Sequence, residues 1–146
     1  MTGIDTTWLV DLEVLESPRH EGAHASFEAW CSRRNEPLAI YVQVFLEFQH
    51  IVTDPRRFEH PLSMPDAIDR TWFWAEQERI RIIYPTEAAF KRAQLWLSAW
   101  DLGRNRLIDT HMAAAYAEAG VSRLLTANPT DFCVFDVFDL PGYGAV

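Results

Sequence analysis

The chain alternates short apolar runs with longer stretches in which apolar residues recur every three or four positions. Runs of the first kind predict buried strands, and stretches of the second kind predict amphipathic helices. Residues 1–5 form a first strand that ends in an acid. Trp8, Leu9, Leu12 and Leu15 follow at helical spacing, with Thr6 or Thr7 as the N-cap and Pro18 as the stop. His24, Phe27, Trp30 and Cys31 mark a second helix that stops before Pro37. Leu38-Ala39-Ile40-Tyr41 is the second strand, and Phe45, Phe48, Ile51 and Val52 stripe the helix after it.

A loop over 55–61 leads to a helix whose start, Ser63-Met64-Pro65-Asp66, has capping-box character, with Ala67, Ile68, Thr71, Trp72 and Ala75 following. Residues 80–84 make the third strand, and Thr86 opens a helix carrying Phe90, Ala93, Leu97 and Trp100. The last long helix covers 108–118 with Gly120 as its C-cap. Residues 123–126 are the fourth strand, and 134–140 predict a short edge strand. Strands alternating with helices imply an α/β fold built on a parallel sheet. Ligands of such sheets sit beyond the carboxyl ends of the strands. No repeat, low-complexity segment or Gly/Ser linker intervenes, which predicts one domain over 1–146.

Composition narrows the classes. Hydrophobic residues make up 49% of the chain and aromatics 13%, enough for a packed core. Trp72, Phe73 and Trp74 in succession cannot all face one core, so some aromatic surface meets another chain or stays exposed. No apolar run approaches the roughly 18–20 residues that cross a bilayer. Asp5 and Asp11 interrupt the only candidate leader, which predicts a cytoplasmic protein without a membrane partner. Cys31 and Cys133 fit no metal-ligand spacing and predict two buried free thiols. The net charge of −8 excludes a protein that coats nucleic acid nonspecifically. It does not exclude an enzyme acting on nucleic acid, because metal-binding carboxylates contribute to it and bound cations offset them.

The acids stand at telling places. Asp5 ends the first strand, Glu47 lies in the helix after the second, and Asp109 opens the long helix. Asn128 and Asp131 occupy the loop after the fourth strand. Singly, Asp5 and Asp109 also fit as helix caps and Asp131 as a turn residue. Together, hard oxygen ligands converging at one sheet edge suit Mg²⁺ or Mn²⁺. Two such cations can activate water and stabilise the leaving oxygen in phosphodiester hydrolysis, and the helix start at Asp109 adds amide donors for phosphate.

Ile4-Asp5-Thr6, then Gln43-Val44-Phe45-Leu46-Glu47-Phe48 running into Val52-Thr53-Asp54-Pro55-Arg56, resembles the PIN-domain VapC ribonuclease toxins. Pro61-Leu62-Ser63, Ile108-Asp109-Thr110-His111-Met112-Ala113-Ala114 and Leu125-Thr126-Ala127-Asn128 continue the resemblance in the same order over nearly the whole chain. It implies a PIN-like three-layer sandwich, with a central parallel sheet of four to five strands and helices on both faces. It also implies a Mg²⁺- or Mn²⁺-dependent endoribonuclease acting on structured RNA such as tRNA or rRNA, a homodimer, and inhibition by a VapB-like antitoxin. Asp5, Glu47 and Asp109 become metal-site acids, and the family's fourth position falls on Asn128, with Asp131 near enough to share its role. Water is then the nucleophile and no covalent intermediate forms. Thr6 and Thr126 are candidates to support the acids or contact phosphate, and Arg104 and Arg106 to contact RNA phosphates. Arg56 and Arg57 are further candidates, although solvated surface charge explains such pairs more often.

Two other readings remain open. The neutral Asn128 allows a catalytically weak PIN-fold module kept for binding RNA or protein. His20-Glu21-Gly22-Ala23-His24 matches the zinc-peptidase pattern HExxH. That motif needs both His on one established helix face and a third ligand. Pro18 and Gly22 mean the helix is only starting there, Trp30 stands where a third His would be, and Glu47 alone could substitute for it.

Overall fold

In a parallel sheet covered on both faces, inner strands need no alternation of apolar and polar residues. The computed structural model describes residues 1–143, so 144–146 of the expected domain lie outside it. Its elements are β1 (Thr2–Ile4), α1 (Thr6–Glu13), α2 (His20–Cys31), β2 (Leu38–Tyr41), α3 (Val42–Val52) and α4 (Met64–Ala75). They continue with β3 (Ile80–Ile83), α5 (Glu87–Ala99), α6 (Leu107–Glu118), β4 (Arg123–Leu125) and the single turn α7 (Pro129–Phe132). β1 and β2 are buried throughout. The four strands are parallel in the order β3-β2-β1-β4, with Ile4 level with Ile40 on one side and Leu125 on the other. The expected α/β sandwich with a parallel sheet is therefore present, at four strands.

Chain order explains the layers. From β1 the chain steps to β2 and then β3 in one direction, through α1–α2 and α3–α4. It then returns through α5 and α6 to β4 on the far side of β1. Right-handed crossovers put outward and return helices on opposite faces. The packing agrees, for α1 meets α2 and α3, α3 meets α4, and α5 meets α6, which lies over β2. The reversal leaves a switch point between β1 and β4.

Local chemistry sets most boundaries as the sequence predicts. Ser63 accepts from the Asp66 amide and Thr86 from the Ala89 amide, each capping its helix. Gly120, after α6, adopts φ +78, the left-handed conformation in which glycine ends helices at no steric cost. Four expectations are corrected. The N-cap of α1 is Asp5, whose side chain takes the Trp8 amide, because β1 ends at Ile4 and Asp5 alone is extended. That helix stops at Glu13, and Leu15 is 82% exposed in the turn that follows. Residues 134–140 form no strand. Cys133–Phe135 is a 3₁₀ turn, and a lone bridge joins Asp139 to Arg123. Cys31 and Cys133 are free but exposed, since each ends or begins a helical turn on its solvent side.

Tyr116 of α6 ties the two central strands together. Its hydroxyl donates to the Ile4 carbonyl (2.6 Å) and accepts from the Tyr41 amide (2.9 Å). Burial drives this phenol far above the usual range, so it remains a donor. The ring sits where Gly3 leaves room, for a Cβ there would meet the Tyr116 ring at 3.1 Å and Val121 at 3.0 Å. Tyr116→Phe should leave the Tyr41 amide buried without a partner and cost about 1–3 kcal/mol in denaturant unfolding. A loss below about 0.5 kcal/mol would show that water or another group takes the vacated bond.

Candidate functional site

Strands that send their chains to opposite faces leave a crevice between the diverging loops. Here it opens at the carboxyl ends of β1 and β4 as a cleft of about 90 Å³. Its polar wall is Asp5, Thr6, Thr7, Gln43, Glu47, Asp109, Asn128 and Asp131, and Tyr41, Val44, Ile108, Met112 and Phe132 supply the apolar remainder. All five predicted oxygen ligands therefore meet in one place, drawn from four separate segments. Thr6 joins them. Arg104, Arg106 and Thr126 are not among the lining residues.

Among the acids of the cleft, Asp5 is buried, only 6% exposed. Its Oδ1 accepts the Trp8 amide (2.9 Å) and the Thr7 hydroxyl (2.7 Å), and its Oδ2 accepts the Thr126 hydroxyl (2.5 Å). Burial outweighs all three bonds, and with a smaller push from the Asp109 charge it raises the carboxyl to a pKa of about 6. Thr126 is fully buried, so of its two expected roles it takes that of supporting Asp5. Glu47 is steadied by the Thr6 hydroxyl (2.7 Å) and by Gln43 one turn earlier (3.2 Å).

Asp109 lies in the first turn of α6, which runs on directly from a 3₁₀ turn over Arg104–Arg106. Burial again raises its pKa, Arg106 opposes the shift, and the charges of Asp131 and Glu47 add to it. Arg106 turns away from the open cleft to donate to the Asp131 backbone carbonyl, and its Nε is buried without a partner among the described residues. Arg104 is exposed. Asn128 precedes α7, is exposed, makes no side-chain cap, and gives its amide to the Thr126 hydroxyl (3.0 Å).

As the side chains stand, no three His, Cys, Asp or Glu among the described residues lie close enough to enclose one ion. The donor set still has a definite character: hard oxygens, mutually repelling, around a space a few waters wide. Mg²⁺ suits such a set, because it dehydrates reluctantly and is commonly held by one or two carboxylates with waters completing its shell. Those residues fit a cation that keeps part of its hydration.

The HExxH segment lies elsewhere. α2 begins at His20, so the motif occupies its first turn and the helix is only starting there, as expected. His20 bonds the Asp11 carbonyl through Nδ1 (3.0 Å), His24 faces Glu28 (3.7 Å), and Glu47 lines the acidic cleft instead. Arg56 and Arg57 turn to Asp54 at 3.0 and 3.7 Å, as a surface pair. Thr7 and Gln43 escaped the sequence reading as site residues. Both had signals: a hydroxyl two residues after a capping Asp, and an amide four residues before Glu47 on one helix face.

The fold matches that of the VapC PIN-domain toxins. The sarcin–ricin-loop-cleaving toxin VapC20 of Mycobacterium tuberculosis superposes with a TM-score of 0.64 at 18% identity, over 85% of this chain and 87% of that one. VapBC2 from Rickettsia felis, bound to a DNA fragment from its promoter, gives 0.66 at 16% identity over 97% and 98%. A toxin–antitoxin complex from Klebsiella pneumoniae gives 0.63 at 20% identity over 90% of each chain. No family model matches the chain, and no curated protein matches it in sequence.

The burial of Asp5 has a measurable consequence. A carboxyl whose folded pKa lies above its unfolded value ionises at a cost that is absent below about pH 4, grows until about pH 6 and is constant above. The cost is on the order of 3 kcal/mol. Asparagine caps helices as well as aspartate does. The metal-free Asp5→Asn protein should therefore gain stability relative to wild type as pH rises from 4 to 6.5, by roughly 2–3 kcal/mol in chemical denaturation. A difference that stays flat across this range would show that Asp5 ionises as freely as in water.

Proposed function

We propose that this chain is a metal-dependent endoribonuclease and the toxin of a toxin–antitoxin pair. The observation that carries the reading is the gathering of Asp5, Glu47, Asp109, Asn128 and Asp131 at the switch point of this particular fold. Asp5, Glu47 and Asp109 would hold Mg²⁺ or Mn²⁺, with Asn128 or Asp131 completing the site. Bound there, the cations supply an activated water and a charge that stabilises the leaving oxygen of a phosphodiester.

The chain's own residues do the rest. Thr7, Thr126 and the Trp8 amide fix the direction of Asp5, while Thr6 and Gln43 hold Glu47 toward the cleft. The positive end of the α6 dipole would favour a phosphate next to Asp109. Arg106 offsets part of the local negative charge, and Arg104 on the approach to α6 is available to an RNA backbone. Structured RNA is the substrate class this reading favours, in keeping with the sarcin–ricin loop that VapC20 cleaves. The protein would work in the cytoplasm, and no helix among the described residues is long and apolar enough to cross a membrane.

An antitoxin partner is supported by the complexes that share the fold. Its anchor would be the apolar groove of about 410 Å³ lined by Phe27, Trp30, Phe73 and Trp74, with an arginine reaching the acids to form bidentate bonds. Exposed Phe90, Leu95, Leu107 and Ile108 supply apolar surface for a homodimer. The rival reading, a weak binding module, draws on the neutral Asn128 and on the proximity of Arg106 to Asp109.

Asp109→Asn should lower RNA cleavage at least about 100-fold with the fold intact. Full cleavage by the folded variant would remove Asp109 from the chemistry. Asn128→Asp should tighten Mn²⁺ binding and Asp131→Asn should weaken it, each read by calorimetry. Identical affinities would take this loop out of the site. Expression of the chain alone should arrest growth, and coexpression of its antitoxin should restore it. If wild type and Asp109→Asn are equally harmless, the toxin assignment fails.

A further inference from the structure

The chain beyond α7 runs beside β4, where the Asp139 amide donates to the Ser122 carbonyl (2.8 Å) and the Leu124 amide donates to that of Asp139 (2.9 Å). It then crosses to α1. There the Tyr143 hydroxyl donates to Asp11 Oδ2 (2.8 Å) and lies 3.5 Å from the Thr7 hydroxyl. Asp11 is 5% exposed, forms no ion pair among the described residues, and is satisfied by Tyr143 and the Ser17 hydroxyl. Asp11 plays no part in the acidic cleft, so its burial has no explanation there.

Thr7 connects this cluster to the cleft. Its hydroxyl donates to Asp5 Oδ1 (2.7 Å) and accepts from the Ala127 amide (3.2 Å). We infer that Tyr143 is a positioning residue for the cleft, acting through Thr7 on Asp5. The proton of Tyr143 is committed to Asp11 at the shorter distance. Its oxygen then stands against Thr7 and restricts the hydroxyl to the rotamer whose own proton points at Asp5. Burial holds the Tyr143 phenol far above its usual range, with the Asp5 and Asp11 charges adding to the effect, so the donor persists at every working pH. Asp11 is thus the anchor, Tyr143 the brace, and Thr7 the part that meets the acid.

The inference rests on the proposed metal site for its functional meaning, but not for its test. In the metal-free protein, hydrogen exchange should quicken at the Ala127 and Trp8 amides in Tyr143→Phe, because both amides bond atoms of the Thr7–Asp5 pair. Ser17→Ala serves as the control, since it removes a bond to the same Asp11 carboxylate without touching Thr7. It should lower stability without quickening those two amides selectively. In calorimetry, Tyr143→Phe should weaken Mn²⁺ binding about 3- to 10-fold, and Ser17→Ala by less than about 2-fold. In a Thr7→Val background the Tyr143→Phe effect on Mn²⁺ should largely disappear, because the part through which it acts is gone.

Equal exchange and equal affinity in Tyr143→Phe and Ser17→Ala would overturn the inference, leaving Tyr143 a tail anchor. Additive effects of Tyr143→Phe and Thr7→Val would overturn it equally. A wild-type protein that binds no Mn²⁺ and cleaves no RNA would instead defeat the proposed function, while the exchange result would still decide the role of Tyr143.

Discussion

The structure turns on one carboxylate that is kept from water. Asp5 closes β1, caps α1 and forms the floor of the cleft, and three hydrogen bonds do not compensate its lost hydration. A buried acid of this kind is tolerated where its surroundings are fixed by other demands. Here those demands are severe. The Asp5 amide pairs with Leu125 as the last rung beside β4, and its side chain starts the helix that covers the sheet. Moving the carboxylate outward would unmake a strand end and a helix start together.

The same arrangement explains why the site is built from distant segments. Only at the switch point do successive crossovers leave to opposite faces, so only there can acids from the end of β1, α3, α6 and the turn after β4 approach without another element between them. Burial is the main reason the Asp109 carboxyl is raised; Arg106 opposes the shift, and the charges of Asp131 and Glu47 add to it. The fold thus concentrates carboxylates at one point, with Arg106 as a guanidinium of the same chain acting on Asp109.

Much of this was legible in the sequence, and the failures share a cause. The strands, the caps at Ser63 and Thr86, and the acids at Asp5, Glu47 and Asp109 all rest on local pattern, and each lies where the pattern puts it. The errors concern what local pattern cannot carry. Residues 134–140 have strand-like apolar content, but their neighbour β4 offers a pairing edge only at one point. Cys31 and Cys133 are apolar enough for a core and were placed on the solvent side by the phase of their helical turns. Arg106 was legible as a cation close to Asp109 in sequence, but not as one turned toward the backbone of α7. Thr126 was legible as a site residue, but not as one sealed beneath it.

The double duty of Asp5 bears on how such a gene is lost. Aspartate and asparagine codons differ by one base, and both side chains start a helix. On the proposed function, a host poisoned by this protein has an escape within a single nucleotide change, and the escaped product is still folded and still presents its apolar groove. It would go on occupying any antitoxin made beside it. A silenced copy is then not neutral, because it still draws on the inhibitor that an intact copy of the same gene would need.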